Sequence, residues 1–340
     1  MRLFGYAGVI GGGYSNGAYA SYSTIGGGYT NYAYAYASTI GGGYDGSAYG
    51  SHSTIGGGYD IAVYGYASGG FAGYDNYING YAAVCGGGYA NAAYADYAVV
   101  SGGAYNFANA DWSSVGGGYD NQNYGAYSTV LGGNQNDMYG SYSTIVGGKY
   151  NKVYNDYAFI GGGYYNTVQG DFAAVGGGGT NKALSNYAAV AGGYNNKANS
   201  RFSAIVGGAR NTVNGRYSVG FGYYTRVKGD YSVGIGLNSD ASSPCTVSDD
   251  YTFGVCADSV TVNGEELLDL FSSRRELSDR HEVVTKQTGE LSKINSALSK
   301  TFTANEAKLA ELEDRLVGYE AMAKEFAALQ KELAEMMSQQ

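Results

Sequence analysis

Glycine and apolar positions return every fifteen residues along most of the chain. A Gly-Gly pair begins at Gly12, Gly27, Gly42 and Gly57, and the same register continues to Gly207. An apolar residue precedes almost every pair by two positions, and the segments between pairs are rich in Tyr, Thr, Ser, Val and Ile, which favour strands. Fifteen residues are too few for a helix-turn-helix repeat. We therefore predict an all-β solenoid of about fifteen coils, each with two short strands and two turns.

The apolar column that precedes the glycines supplies the predicted interior. It is represented by Ile25, Ile40 and Ile55 and continues as Val or Ile in most later repeats. Glycine is expected beside it because the chain must turn there, or because the next coil passes close to its backbone.

An asparagine column follows the glycines in twelve of fifteen repeats, represented by Asn16, Asn31, Asn76 and Asn91. Asparagine tolerates the left-handed conformation and bonds its local backbone, so the simplest interpretation is a turn residue. Stacked in register, the amides would also form a ladder along the rod. Gly46, Ile61 and Arg226 interrupt this column.

An aromatic column, represented by Tyr127, Tyr142 and Tyr157, stands three positions before the apolar column. Alternate residues of a strand face opposite sides, so an odd spacing places these two columns on opposite sides of one strand. A coil this thin buries only one side. We therefore predict that the aromatic side meets another chain, the alternative being an exposed aromatic stripe.

The last repeats shorten to fourteen residues, since Tyr217-Ser-Val-Gly-Phe-Gly222 returns as Tyr231-Ser-Val-Gly-Ile-Gly236. These units resemble the head repeats of YadA-like trimeric autotransporter adhesins, which read roughly Asn-Ser-Val-Ala-Ile-Gly. The resemblance implies a left-handed parallel β-roll over residues 1–240, packed as a homotrimer about a common axis. It also implies a neck and a coiled-coil stalk beyond the roll.

Residues 265–340 read as a different polymer. Glutamate is absent before Glu265, and from there the chain is rich in Glu, Lys, Leu and Ala. Leu291, Ile294 and Leu298 belong to a seam with alternating spacings of three and four, which predicts a parallel coiled coil that begins near Glu265 and Glu266. A single amphipathic helix on a globular domain is the alternative.

Asn305 lies within this apolar seam. A buried seam asparagine fixes register and oligomeric state. The resemblance to YadA-like stalks adds a second interpretation, in which asparagines at core positions line an anion site.

Residues 241–264 form the predicted connector and contain two of the three cysteines. Cys245 and Cys256 are candidates for a disulfide in an oxidising compartment, although three cysteines leave the pairing open. Cys85 replaces Ile or Val in the apolar column and is expected to be a packed free thiol.

Charge and hydropathy limit the partners. The formal net charge is −9, which argues against nucleic acid or an anionic membrane as a partner. No apolar run is long enough to span a membrane. The sequence also shows neither a signal peptide nor a C-terminal anchor barrel, so we expect either a fragment of a longer protein or a chain held by partners.

The sequence predicts no catalytic, cofactor-binding or metal site. His52 and His281 are the only histidines, and neither has a ligand partner at useful spacing. Phosphate-loop and calcium-repeat motifs are absent. We therefore expect no enzyme and no cofactor.

These observations favour a structural, adhesive homotrimeric fibre on a cell surface, on a virion or in the extracellular space. Its repeated Tyr-, Asn- and Gly-rich surface would attach to a glycan or an extracellular-matrix ligand. Two alternatives stay open: a virion or phage tail fibre, and an extracellular filament or surface layer without a ligand.

Overall fold

The computed structural model describes residues 1–237, 244–257, 261–262 and 265–266, with scattered helical positions between 291 and 308. The chain divides into two units, Met1–Asp258 and Ser259–Gln340. The first unit is a parallel β-solenoid, which confirms the fold predicted from the repeat period.

The solenoid has two parallel sheets of seventeen strands each, and every coil contributes one strand to each sheet. The strands of the first sheet are Arg2–Leu3, Gly17–Ala18, Tyr32–Ala33, Ser47–Ala48, Ala62–Val63, Tyr77–Ile78, Ala92–Ala93, Phe107–Ala108, Gln122–Asn123, Asp137–Met138, Lys152–Val153, Thr167–Val168, Lys182–Ala183, Lys197–Ala198, Thr212–Val213, Thr225–Val227 and Cys245–Val247. The strands of the second sheet are Val9–Ile10, Thr24–Ile25, Thr39–Ile40, Thr54–Ile55, Gly69–Gly70, Val84–Cys85, Val99–Val100, Ser114–Val115, Thr129–Val130, Thr144–Ile145, Phe159–Ile160, Ala174–Val175, Ala189–Val190, Ala204–Ala209, Val219–Tyr223, Val233–Gly236 and Phe253–Cys256.

Neighbouring coils pair residue for residue. Thr24 pairs with Thr39 and Ile25 with Ile40, each fifteen positions apart. A third ladder of single bridges joins the residue after the glycines in successive coils, beginning with Tyr14 and Tyr29. Three ladders per coil leave little backbone unpaired, which explains how strands of only two residues hold the fold.

The core is a narrow slot between the two sheets. Ile25 and Ile40 of the second sheet are fully buried, and Ile55 is 1% exposed. The first sheet faces them mainly with alanine and valine. One coil shows how volume is conserved, because Ile61 occupies the asparagine position while Gly70 occupies the isoleucine position. A Cβ on Gly70 would lie 2.7 Å from the Cγ2 of Ile61, so the larger side chain fills the space that the glycine leaves.

Two non-glycine residues in most coils adopt the left-handed conformation, one at each turn. Tyr127 has a φ of 55° in the turn that leads from the first sheet to the second. Asp120 has a φ of 53° in the turn that leads from the second sheet back to the first. Each directs its backbone N–H backwards, to the carbonyl oxygens of Asp111 and Ala104 in the preceding coil, at 3.0 and 2.9 Å. Strand N–H groups instead donate forwards. The hydrogen bonds between coils therefore help offset a conformation that costs about 1–2 kcal/mol.

Both sheets continue past residue 240, into the segment predicted as a connector. Thr246 and Val247 pair with Arg226 and Val227. Cys245 and Cys256 are disulfide-bonded within this last coil, so the bond links the first sheet to the second. The predicted helix start at Glu265 is wrong, since Val262 pairs antiparallel with Glu265 in a hairpin. The intervening sequence is Asn-Gly, the dipeptide most typical of a two-residue hairpin turn.

In the second unit, the described positions between 291 and 308 are helical and exposed. They include the seam residues Leu291, Ile294 and Leu298, whose side chains are 57–63% exposed in the single chain. Asn305 is also helical and exposed. Phe302 of the seam is helical and exposed as well, whereas the remaining seam residues and His281 lie outside the described residues.

Candidate functional site

The asparagine column forms a buried ladder that ties successive coils together, except where Gly46 and Ile61 interrupt it. The Oδ1 of Asn121 accepts the backbone N–H of Asn136 at 3.1 Å. Its Nδ2 donates to the carbonyl of Gly117 in its own coil at 2.9 Å and to that of Gly133 in the next coil at 3.0 Å. Asn16, Asn31, Asn76 and Asn91 lie in the same ladder and are 0–1% exposed. The column is therefore a structural cross-link rather than a surface for ligands.

This ladder dictates one glycine in each coil. Gly133 has a φ of 101°, and a Cβ there would lie 2.3 Å from the carbonyl oxygen of Gly148 and 2.5 Å from the Nδ2 of Asn136. Any other residue would displace the amide. The last glycine of the motif and the asparagine are thus two halves of one device.

A continuous ladder of aromatic rings lies on the outside of the turn that leads from the first sheet to the second. We call it the aromatic ladder. It has one ring per coil, and successive ring centroids are 4.0–6.1 Å apart. Its members are Tyr6, Tyr22, Tyr36, His52, Tyr66, Tyr81, Tyr97, Trp112, Tyr127, Tyr142, Tyr157, Phe172, Tyr187, Phe202, Tyr217, Tyr231 and Tyr251.

The ring occupies either of two adjacent positions of the turn. Where the left-handed residue is alanine, as at Ala37, the preceding residue Tyr36 supplies the ring. Where the left-handed residue is aromatic, as at Tyr127, the preceding residue is Ala126 or a polar one. In the sequence, one of these two adjacent turn positions is a ring-bearing residue in every coil. The pattern is missed when only one of the two positions is followed from repeat to repeat.

The strand-parity argument for the aromatic column is wrong. Tyr127, Tyr142 and Tyr157 lie in a left-handed turn, not on a strand continuous with the apolar column. Parity does not carry through a turn, so the outer side of the second sheet belongs to other residues.

Stacking covers the faces of these rings. From Tyr127 to Tyr251 successive rings are within 14° of parallel. Solvent therefore meets mainly ring edges and hydroxyl groups. Such a surface offers a ligand hydrogen bonds rather than a flat ring on which to stack.

The outer face of the second sheet carries no charge in any described coil. It is formed by the first residue of each strand and by the residue two positions later, which are Thr, Val, Ala, Ser, Gly, Leu, Ile or Phe. Leu131, Val146 and Val206 are 55%, 41% and 61% exposed on this face. A Cβ built on the adjacent Gly27 or Gly42 would meet no atom within 4 Å. No residue of the described part of the solenoid covers this uncharged face.

The outer face of the first sheet is polar by contrast. Its outward positions include Asp137, Lys152, Lys182, Lys197 and Arg226. Lys152 pairs with Asp137 at 2.7 Å, which is the only ion pair among the described residues. The outward strand positions of the first sheet are uncharged from Gly17 to Gln122, so the two outer faces of one coil differ in charge mainly from Asp137 onward.

The remaining candidates for chemistry are structural. Cys85 is free and fully buried, and burial raises the pKa of its thiol to about 11, so it stays protonated at neutral pH. His52 is a rung of the aromatic ladder, between Tyr36 and Tyr66. Within the described ranges, no three His, Cys, Asp or Glu residues come together as a metal site. No helix in the described part of the chain has the length and apolar character needed to cross a membrane.

No family model and no curated protein matches the chain.

Proposed function

We propose that this chain is the rod of a homotrimeric extracellular fibre whose outer surface attaches to a glycan or matrix ligand. The observation that supports assembly is the uncharged face of the second sheet. A solenoid repeats at the same interval in every copy, so two copies packed in parallel offer each other an identical contact at each coil. Glycine beside the strands allows the backbones to approach closely.

Assembly through the second sheet leaves the first sheet outside. The first sheet carries the charged and tyrosine-rich positions, which suits a surface that recognises a ligand. The exposed seam residues Leu291, Ile294 and Leu298 support a parallel coiled coil C-terminal to the hairpin at Glu265, where each apolar side chain would meet its counterparts. The disulfide between Cys245 and Cys256 supports an oxidising, extracellular location.

Charge placed on the uncharged face tests the assembly. The variant Leu131→Glu/Val146→Glu is expected to sediment as a monomer, because two carboxylates per chain would be buried without partners. The matched control Thr167→Glu/Thr212→Glu places the same charges on the first sheet and is expected to sediment at three times the chain mass. A monomeric or dimeric wild-type chain in sedimentation equilibrium would refute the trimer.

Attachment is tested separately, with fluorescently labelled full-length protein on a panel of immobilised glycans and matrix proteins. Retention on at least one class of surface is expected. A trimer that binds nothing on the panel would instead favour a filament without a ligand.

A further inference from the structure

The charged side chains of the solenoid are segregated along its axis. Residues 1–148 contain seven aspartates and one basic residue, Arg2. Residues 180–228, which we call the basic segment, contain seven basic residues and no acidic one. The seven are Lys182, Lys197, Arg201, Arg210, Arg216, Arg226 and Lys228. The net charge of −9 therefore conceals a strongly cationic stretch of rod.

Part of the basic segment forms a straight row on the first sheet. Lys182 pairs in register with Lys197, and Arg226 lies two strands further along the same column, after Thr212. Parallel strands are about 4.8 Å apart, so the three cations span about 15 Å along the axis. All three are outward-facing positions of their strands.

The fold gains no evident stability from this row. Like charges on directly paired strands repel, and the same column holds the neutral Thr167 and Thr212 in adjacent coils. No residue of the basic segment has a carboxylate partner within the described part of the chain, where the only ion pair is the one between Lys152 and Asp137. Within the described residues, no side chain supplies a counter-charge to the row.

Three arginines of the segment are held against aromatic rings. The guanidinium carbon of Arg201 lies 4.9 Å from the ring centroid of Phe202, that of Arg226 lies 5.1 Å from Tyr224, and that of Arg210 lies 6.0 Å from Tyr223. Arg226 also donates to the hydroxyl of Tyr224 at 3.1 Å. Such contacts fix the guanidinium groups and leave further N–H donors free for an anion.

The acidic part of the rod does not cancel this field. Asp137 lies three strands before Lys182, about 14 Å away, whereas salt screens exposed charges over about 8 Å at physiological ionic strength. Asp171 and Asp230 lie at the two ends of the segment, in the turn beside the aromatic ladder and not in the cationic row on the first sheet. Asp171 accepts from the Nδ2 of Asn186 at 3.1 Å, and Asp230 accepts from the backbone of Arg216 at 2.7 Å.

We propose that the basic segment binds a linear acidic polysaccharide that bears sulfate or carboxylate groups. The row is straight and shallow, with amide side chains such as Asn199 and Asn214 beside the cations, and these suit the hydroxyl groups of a sugar chain. Single-stranded nucleic acid requires free aromatic faces for its bases. In this segment the rings of Tyr187, Phe202 and Tyr217 stack on one another. Those of Tyr223 and Tyr224 each have a guanidinium group over one face, so a polyanion without bases fits better.

This inference rests on the attachment role proposed above and names its ligand class. Binding of the full-length protein to immobilised dextran sulfate and to unsulfated dextran of the same length is measured by surface plasmon resonance at several salt concentrations. We expect binding to dextran sulfate and none to unsulfated dextran. The affinity for dextran sulfate is expected to fall as the salt concentration rises. Lys182→Gln/Lys197→Gln is expected to lower affinity about tenfold, through the loss of two charge-assisted contacts per chain.

The matched control Arg2→Gln/Lys149→Gln removes the same charge outside the basic segment and is expected to keep wild-type affinity. Circular dichroism establishes that both variants retain the fold. Equal losses in both variants would overturn the proposal in favour of net charge alone. Tighter binding to polyuridylate than to dextran sulfate would overturn it in favour of nucleic acid. Trimers that bind a matrix protein but no sulfated glycan would overturn this inference and leave the attachment role standing.

Discussion

Two ladders of side chains run along the solenoid, and they differ in how strictly their residues keep one sequence position. The asparagine ladder is buried, and its residue keeps one position in nearly every coil. The aromatic ladder is exposed, and from coil to coil its ring is supplied by either of two adjacent sequence positions. Amide hydrogen bonds are directional and are made without water, so a displaced Asn121 would lose its partners. Ring stacking depends on distance and overlap, which a ring at either turn position provides.

Removal of one rung of the asparagine ladder is the most damaging change that we predict. Asn121→Ala leaves the backbone N–H of Asn136 buried without its acceptor, and two glycine carbonyls lose a donor. We expect a loss of about 2–4 kcal/mol in the free energy of unfolding. Hydrogen exchange detected by mass spectrometry should show faster exchange of backbone amides in the two coils that contain Asn121 and Asn136. Unchanged protection there would contradict the role assigned to the ladder.

Removal of one ring is expected to have a smaller effect. Phe172 stacks on Tyr157 at 4.7 Å and on Tyr187 at 5.1 Å, with a φ of 56°. Phe172→Ala should cost about 1–2 kcal/mol, because both stacking contacts disappear while the left-handed strain stays. Phe172→Gly loses the same contacts but relieves the strain, so thermal unfolding should rank it above the alanine variant. The reverse ranking would show that this turn is not strained.

The smallest effect is expected when a ring changes position without being lost. Ala126→Tyr/Tyr127→Ala recreates the arrangement seen at Tyr36 and Ala37, so the free energy of unfolding should change by less than about 0.5 kcal/mol. The matched exchange in the other ladder, Asn121→Gln/Gln122→Asn, should be as damaging as Asn121→Ala. Similar losses from the two exchanges would remove the distinction between the ladders.

The sequence predicted the parts of the fold that depend on period. The repeat of fifteen implied parallel coils, and the structure confirms this. The residues of the apolar column, such as Ile25, lie in the slot between the sheets. For the asparagine column both interpretations were open, and the structure favours the ladder, since each amide bonds two coils.

The turns were harder to predict than the strands. Left-handed tyrosine is disfavoured for an isolated chain, and only contacts from neighbouring coils make it acceptable at Tyr127. That information is not local. The same holds for the uncharged face, because which residues form it depends on where the turn ends. At Glu265 two local signals compete, since Asn-Gly favours a hairpin turn and Glu favours a helix start, and the hairpin prevails.

The backbone bridges that follow the glycines, together with the two sheets, have a consequence for how the repeat number can change in evolution. Because every coil presents the same three pairing edges above and below, a duplicated gene segment that encodes fifteen residues would add one more coil without requiring a new contact. The rod would lengthen by about 4.8 Å for each such duplication. Coils of fourteen and twenty residues occur near the end of the solenoid, and their strands still pair in register, so only an insertion that displaces a strand would interrupt the ladders. The length of the solenoid can therefore change by whole coils.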